Sequence, residues 1–395
     1  MFTKRFYAFQ NKIESNLEWI DYYDPFKEFE RMGGNKDPKR WRLSTANENY
    51  SICKTYPKVF GVPEKISDNV IFHAAKFRTK NRLPVLSFIY SPNFGTITRS
   101  SQPLVGIKQN RSIQDEKLLE AIFDSNSDLK DQSMKNYIID ARPTTNAMGA
   151  GFESTQNYKN SKRMFMGIEN IHVMRESLNK LIEDMGYENW LSALEATDWM
   201  KHIKLILDAV IIIVKGIYLE GANVLIHCRW DRTAQLSGLA QLCLDPYFRT
   251  IQGYIVLIEK EWISFGHKFL DRCGHLSKHP KSHHYKECSP VFHQFLECTW
   301  QIMQQNPTHF EFNERFLVDV FEGLYSCQFG NFLLNCEHDR YSRGIYKNTV
   351  SIWQIMTNNK DKYINKDYLP LEDVMLPLAA PFHLRFWHGL YCRFS

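Results

Sequence analysis

No apolar run in this chain is long enough to cross a bilayer. The longest, Leu205 to Val214, is short and interrupted by Asp208, whereas a spanning helix needs about 20 apolar residues. Gly/Ser-rich linkers, low-complexity tracts and fixed-period repeats are also missing, so nothing visibly divides the 395 residues. Neither sign of charge dominates. The 49 Lys and Arg against 44 Asp and Glu leave +5, a mild lean towards anionic partners that does not choose between lipid and nucleic acid. The nine cysteines, at 53, 228, 243, 273, 288, 298, 327, 336 and 392, are scattered and odd in number, which excludes a disulfide framework. No secretory leader follows Met1-Phe2-Thr3-Lys4-Arg5, so free thiols in a reducing, cytoplasmic setting are expected. What is present, 44% hydrophobic, 14% aromatic and 24% charged residues, suits a globular protein with a large buried core.

Periodicity gives the coarse organisation. Leu118, Leu119, Ile122 and Phe123 fall at helical spacing within Asp115–Phe123. Tyr137 to Asp140 reads as a short buried strand ending in a carboxylate. Residues 170–185 and 190–218 read as helices, the second with a broad apolar stripe from Ile203 to Ile217. Gly221 closes it, and a strand over Asn223–Cys228 follows. Later stretches (254–265, 290–304, 316–327 and 351–356) read mostly as helices, with Trp300, Phe310, Phe312, Trp353 and Trp387 as core anchors. Helix, buried strand, loop and helix in alternation predict an α/β fold, with a central, mainly parallel sheet flanked by helices and enlarged by extra C-terminal helices. Any ligand is expected at the carboxyl ends of the strands.

One such end carries chemistry. Val224-Leu225-Ile226 runs into His227-Cys228, and after Arg229-Trp230-Asp231 the residues Arg232 and Thr233 open a helix over Ala234–Leu244. A thiol at a strand end and an arginine at a helix N-terminus together suit a phosphate monoester. Unpaired N–H groups and the positive end of the helix dipole face the anion. The same field, with Arg232, is expected to lower the Cys228 pKa and give a thiolate nucleophile. Asp231 could equally serve as a helix N-cap.

The stretch resembles the active-site loop of the myotubularins, cysteine-dependent phosphoinositide 3-phosphatases. The resemblance extends through Tyr23-Asp24-Pro25, Trp41-Arg42, Arg82 to Ser87, Ser101-Gln102-Pro103, Asp140-Ala141-Arg142-Pro143, Asn170 to Ser177, Glu259-Lys260-Glu261-Trp262 and Phe265-Gly266-His267. Residues 1–50 are similar to the lead-in of that catalytic domain and 51–395 to the domain itself; the family's N-terminal membrane-binding domain is not visible. The resemblance implies a cysteine-dependent phosphatase-like fold without a cofactor or metal. It casts Cys228 as nucleophile, Arg232 as phosphate clamp and Asp231 as general acid, with His227 and Thr233 supporting the loop. Asn170, Ile171, Arg229, Trp230, Lys268 and Arg272 would meet the headgroup, the last two at a second phosphate. It further implies a phosphoinositide ligand, peripheral attachment to endosomal-type membranes, a homo- or hetero-oligomer with another family member, and no nucleic-acid partner.

Two departures stand out. The family places five residues between Cys and Arg; here three stand between Cys228 and Arg232, which removes two amide donors and roughly 7 Å of contour. After Asp140–Met148 the chain passes directly to Gly149–Ser154, where family members carry several more residues, including an asparagine that touches the inositol ring. Cys273, His275, His279, His283, His284 and Cys288 are zinc-binding residue types, but their spacing fits no closed Cys/His site, so no metal is expected. The leading reading is removal of the D3 phosphate from phosphatidylinositol 3-phosphate and 3,5-bisphosphate through a phosphocysteine. The alternative is a pseudophosphatase that binds lipid or regulates a partner.

Overall fold

The computed structural model describes residues 8–15, 17–106, 110–127, 136–145, 158, 161–184, 190–228, 230–275 and 286–393. Its centre is a seven-stranded sheet in the order β1-β2-β3-β4-β7-β5-β6. The strands are β1 (Trp41–Ser44), β2 (Phe60–Pro63), β3 (Val85–Tyr90), β4 (Gly95–Ser100), β5 (Asn136–Asp140), β6 (Ser161–Phe165) and β7 (Asn223–His227). The pairings from β1 through β4 are antiparallel. Those joining β4 to β7, β7 to β5 and β5 to β6 are parallel. The expected α/β sheet flanked by helices is therefore present as a mixed sheet. Its parallel half lines up four carboxyl ends: Ser100 pairs with His227, Ile226 with Ile139, and Asp140 with Phe165.

Strand β7 and most of β3 and β5 are apolar without alternation, because that part of the sheet is covered on both faces, whereas β4 and β6 carry polar and charged residues. β7 is buried at every position. The Arg232–Leu244 helix that follows is buried from Thr233 to Leu244, as expected for a helix enclosed by sheet and other helices. The helix predicted over 190–218 resolves into two, Trp190–Ala196 and Trp199–Glu220, and the apolar stripe from Ile203 to Ile217 lies within the second. Between them Asp198 takes a left-handed φ of 58°, which stops the first helix before the second begins. The predicted C-terminal helices are present as Val291–Gln305, Glu314–Ser326 and Ile352–Asn358. Trp300, Phe310, Phe312, Trp353 and Trp387 are all buried. Among the described residues no helix is long and apolar enough to cross a membrane.

Several of the quoted sequence blocks are structural anchors. Asp24 caps the Pro25–Arg31 helix by accepting from the amides of Phe26 and Lys27. Arg82 donates to the carbonyls of Thr55 and Phe265 at 3.1 and 2.9 Å. The Ile251–Ile258 helix widens into a π-helical turn over Glu259–Ser264, whose charged side chains point inward to buried partners. Lys260 meets Glu28 at 2.8 Å, and Glu261 meets Arg99 at 2.7 Å. Gly266 follows with φ +78°, and a Cβ there would lie 2.5 Å from the Thr55 carbonyl oxygen. Only glycine fits that corner.

Candidate active site

Each of the four parallel carboxyl ends feeds one cavity of about 400 Å³. Gln102 comes from beyond β4, Arg142 from beyond β5, Ile168, Glu169 and Asn170 from beyond β6, and Cys228 from the end of β7. Trp230, Asp231, Arg232 and Gln235 enter from the loop and helix after β7, and Ile171 and Met174 from the Ile171–Asp184 helix. Lys268, Arg272, Glu287, Val291 and Gln294 close the far side. The sequence-predicted residues Cys228, Trp230, Asp231, Arg232, Asn170, Ile171, Lys268 and Arg272 are thus brought together. His227 and Thr233 stand behind the cavity, and Arg229 lies outside the described residues.

The short loop is held tightly. The Thr233 hydroxyl donates to the Cys228 carbonyl at 2.6 Å, fixing the turn that joins strand to helix. Arg232 points Nη1 at the Cys228 sulfur, 3.5 Å away. Its Nε and Nη2 both donate to the Glu169 carbonyl, at 3.0 and 2.6 Å. The planar fork that could grip two phosphate oxygens therefore faces backbone, and one edge remains for an anion beside the thiol. His227 Nε2 is 3.8 Å from Asp140, a carboxylate that also pairs with Arg142 and Arg163 at 2.8 and 2.7 Å. Burial alone would raise the Asp140 carboxyl, but His227, Arg142 and Arg163 outweigh it and hold it well below the usual carboxylate range.

The expected activation of the thiol is corrected. Burial raises the Cys228 pKa above the ordinary thiol value, and Arg232 offsets only part of the rise. Cys228 is 6% exposed, and the cost of a charge in that setting exceeds what one guanidinium returns. Asp231 stands at the N-cap position, yet its side chain caps no amide. It instead receives Nε and Nη2 of Arg272 at 3.1 and 3.0 Å, with His267 Nδ1 3.4 Å away. Burial would raise its carboxyl, but Arg272, His267 and Arg232 together hold it below the usual range. His267, also 3.3 Å from the Trp230 carbonyl, is pushed down to about 4 by burial and is neutral at pH 7. Two cations approach the Trp230 ring, Lys268 at 5.0 Å and Arg82 at 5.7 Å, a contact type that rewards an aromatic here.

Lys268 and Arg272 were expected on one helix face. The helix is a single turn, Phe269–Arg272, with Lys268 at its cap. Both line the cavity, with Lys268 on Asp271 at 3.0 Å and Arg272 also on Glu287 at 3.1 Å. Of the possible zinc ligands, His279, His283 and His284 lie outside the described residues, as does the shortened loop over 146–154. Cys273 and His275 are placed apart from the cavity, His275 Nε2 meeting the Leu324 carbonyl at 2.8 Å. The single cluster of metal-ligand types among the described residues is Cys336, His338 and Asp339, a set the sequence did not single out. Sequence reasoning also passed over Glu169, Gln235, Glu287 and Gln294. Only Gln235 stood within a quoted motif, and nothing in the local pattern marks the other three.

A thiol and a guanidinium meet at the junction of a parallel strand and a helix, in a cavity lined by Arg142, Arg232, Lys268 and Arg272 together with Glu169, Asp231 and Glu287, an arrangement able to receive a phosphate monoester. The chain belongs to the myotubularin-like phosphatase family, whose domain model matches residues 4–341. It is 44% identical over 408 positions to human phosphatidylinositol-3,5-bisphosphate 3-phosphatase MTMR8, covering 98% of this chain and 56% of that protein. Mouse phosphatidylinositol-3,5-bisphosphate 3-phosphatase MTMR6 is 44% identical over 401 positions, covering 98% of this chain and 63% of the relative. Myotubularin of Xenopus laevis is 43% identical over 403 positions, covering 99% and 65%. The chain therefore spans under two thirds of the length of these relatives. All three matched stretches are longer than the chain's 395 residues, so the relatives carry residues with no counterpart here.

With Cys228 as nucleophile and Asp231 as proton donor, the roles the resemblance implies, the two shifted groups would fix the pH response of kcat/KM. Thiolate increases about tenfold per pH unit below the raised Cys228 pKa. Protonated carboxyl decreases by the same factor above the lowered Asp231 pKa. Their product is constant between the two, so kcat/KM should be low and flat across the neutral range. Asp231→Asn removes the falling factor, and the profile should then climb about tenfold per unit towards the thiol pKa. A wild-type bell centred near neutrality would contradict this arrangement.

Proposed function

We propose that this chain is a phosphoinositide 3-phosphatase domain acting through a phosphocysteine on Cys228. The observation that carries the reading is the convergence of four strand ends on one cationic cavity with Cys228 and Arg232 at its base. Cys228 attacks phosphorus, one edge of Arg232 and the helix amides hold the phosphoryl oxygens, and Asp231 gives a proton to the departing inositol oxygen. Asn170, Ile171 and Trp230 bound the space for the ring, and Lys268 and Arg272 offer cations for a second phosphate, in line with the 3,5-bisphosphate in the names of two relatives. Attachment to endosomal-type membranes and pairing with another family member belong to the same reading and rest on the resemblance.

A second reading, headgroup binding without turnover, is favoured by one contact: the Arg232 fork sits on the Glu169 carbonyl. Phosphate release from short-chain phosphatidylinositol 3-phosphate separates the two, with Cys228→Ser as control. Release by the wild-type chain above the control supports the phosphatase; equal release leaves the binder.

A further inference from the structure

Asp231 and Arg272 face each other inside the cavity as a bidentate pair, at 3.0 and 3.1 Å. A proton donor cannot work while it is a salt-bridged carboxylate, and a phosphate-binding arginine cannot bind fully while it holds a carboxylate. Each residue is thus blocked by the other in this arrangement. Building on the proposed phosphatase reading, we infer that Arg272 determines substrate preference as a latch: a second phosphate on the inositol ring draws Arg272 off Asp231 and frees that carboxyl to carry the proton.

The surroundings support a latch that moves rather than a fixed pair. The groups facing Asp231 are Arg272, His267, Arg232 and Cys228, with Lys268, Asp271 and Glu287 next to them. Once Arg272 leaves, Asp231 loses the largest of the influences that keep it ionised, and His267 and Arg232 remain beside it. Arg272 retains Glu287 as an anchor at its Nη1, so its fork can turn towards a dianion without losing its place. Lys268 reaches the same cavity from the cap of the one-turn helix, four residues before Arg272, and pairs with Asp271 at 3.0 Å, so it adds attraction for a second phosphate without forming part of the Asp231 pair.

The chemical step balances as follows. The Cys228 thiolate forms a bond to phosphorus while the bond from phosphorus to the ring oxygen breaks. That electron pair goes to the ring oxygen, which takes the proton from Asp231. Water then attacks phosphorus and gives a proton back to Asp231, and the thiolate leaves as inorganic phosphate departs. With a monophosphate the latch stays shut and the ring oxygen departs without its proton, forfeiting a contribution that is commonly about a hundredfold or more.

Steady-state kinetics on short-chain 3-phosphate and 3,5-bisphosphate lipids test the idea. Wild type should show kcat at least about tenfold higher for the bisphosphate. Arg272→Gln should erase that preference by raising kcat for the monophosphate, an effect that loss of a mere binding or structural group does not produce. Lys268→Met should raise KM for the bisphosphate while the kcat preference persists. An Arg272→Gln enzyme whose monophosphate kcat stays level or falls overturns the latch. A readout free of turnover covers poor folding and inactivity: infrared difference spectra of Cys228→Ser protein, with Asp231→Asn assigning the band. Asp231 should become protonated on binding the bisphosphate and not the monophosphate, and identical spectra sink the latch. Absence of turnover by wild type with that infrared change present removes the phosphatase reading alone.

Discussion

Two glycines inserted between Cys228 and Trp230 are expected to raise phosphate release by roughly a hundred- to a thousandfold. The loop from Cys228 to Arg232 is short enough that the Thr233 hydroxyl and Cys228 carbonyl lie 2.6 Å apart and the Arg232 fork rests on the Glu169 carbonyl. Two more residues supply about 7 Å of chain and two amides that can turn inward around a phosphoryl group. One well-placed oxyanion donor is worth about 100- to 1,000-fold in kcat. Freeing the Arg232 fork should add to the gain, because bidentate contact requires both nitrogens. The check is kcat on a 3-phosphorylated lipid for wild type, the insertion and the insertion with Cys228→Ser. An insertion that folds but gains nothing would show that loop length is not what holds the rate down.

Glu261→Ala is expected to cost about 3–5 kcal/mol of folding stability. Glu261 is fully buried and accepts from Arg99 at 2.7 Å, from Gln241 at 2.9 Å and from Ser87. Removing it leaves the Arg99 guanidinium buried with no carboxylate, while Arg99 Nε and Nη2 already meet no acceptor among the described residues. Replacing both partners, as Arg99→Met with Glu261→Met, removes the stranded charge and should recover most of the loss. Denaturant midpoints at constant m-value measure this. A loss below about 1 kcal/mol for the single change would mean that water reaches the pair.

These two sites mark what was legible in the sequence. The strand, the thiol, the arginine and the helix were readable around Cys228 because period and residue type change there within ten positions. Asn170, Ile171, Lys268 and Arg272 were placed beside it by a different route, through resemblance rather than period or spacing. The state of the site was not readable. Whether Cys228 is activated depends on burial weighed against Arg232, and burial arises from helices distant in sequence. The partners of Asp231 are likewise set by a chain reversal at Gly266 and a one-turn helix, neither of which periodicity reveals. Glu169 acts through its carbonyl, so its side chain could give no sign. Blocks such as Glu259-Lys260-Glu261-Trp262 carried the family resemblance with no role attached to them. They proved to be buried anchors because a π-helical turn aims three charges inward, towards partners that include Glu28 and Arg99, more than 150 residues away.

The most direct measurement is rapid acid quench of the wild-type chain with a 3-phosphorylated lipid, followed by mass spectrometry of the peptide that contains Cys228. The account predicts one phosphoryl group on Cys228, absent from Cys228→Ser, appearing before inorganic phosphate is released. Phosphate released without that adduct, or an adduct on any other residue, would contradict it.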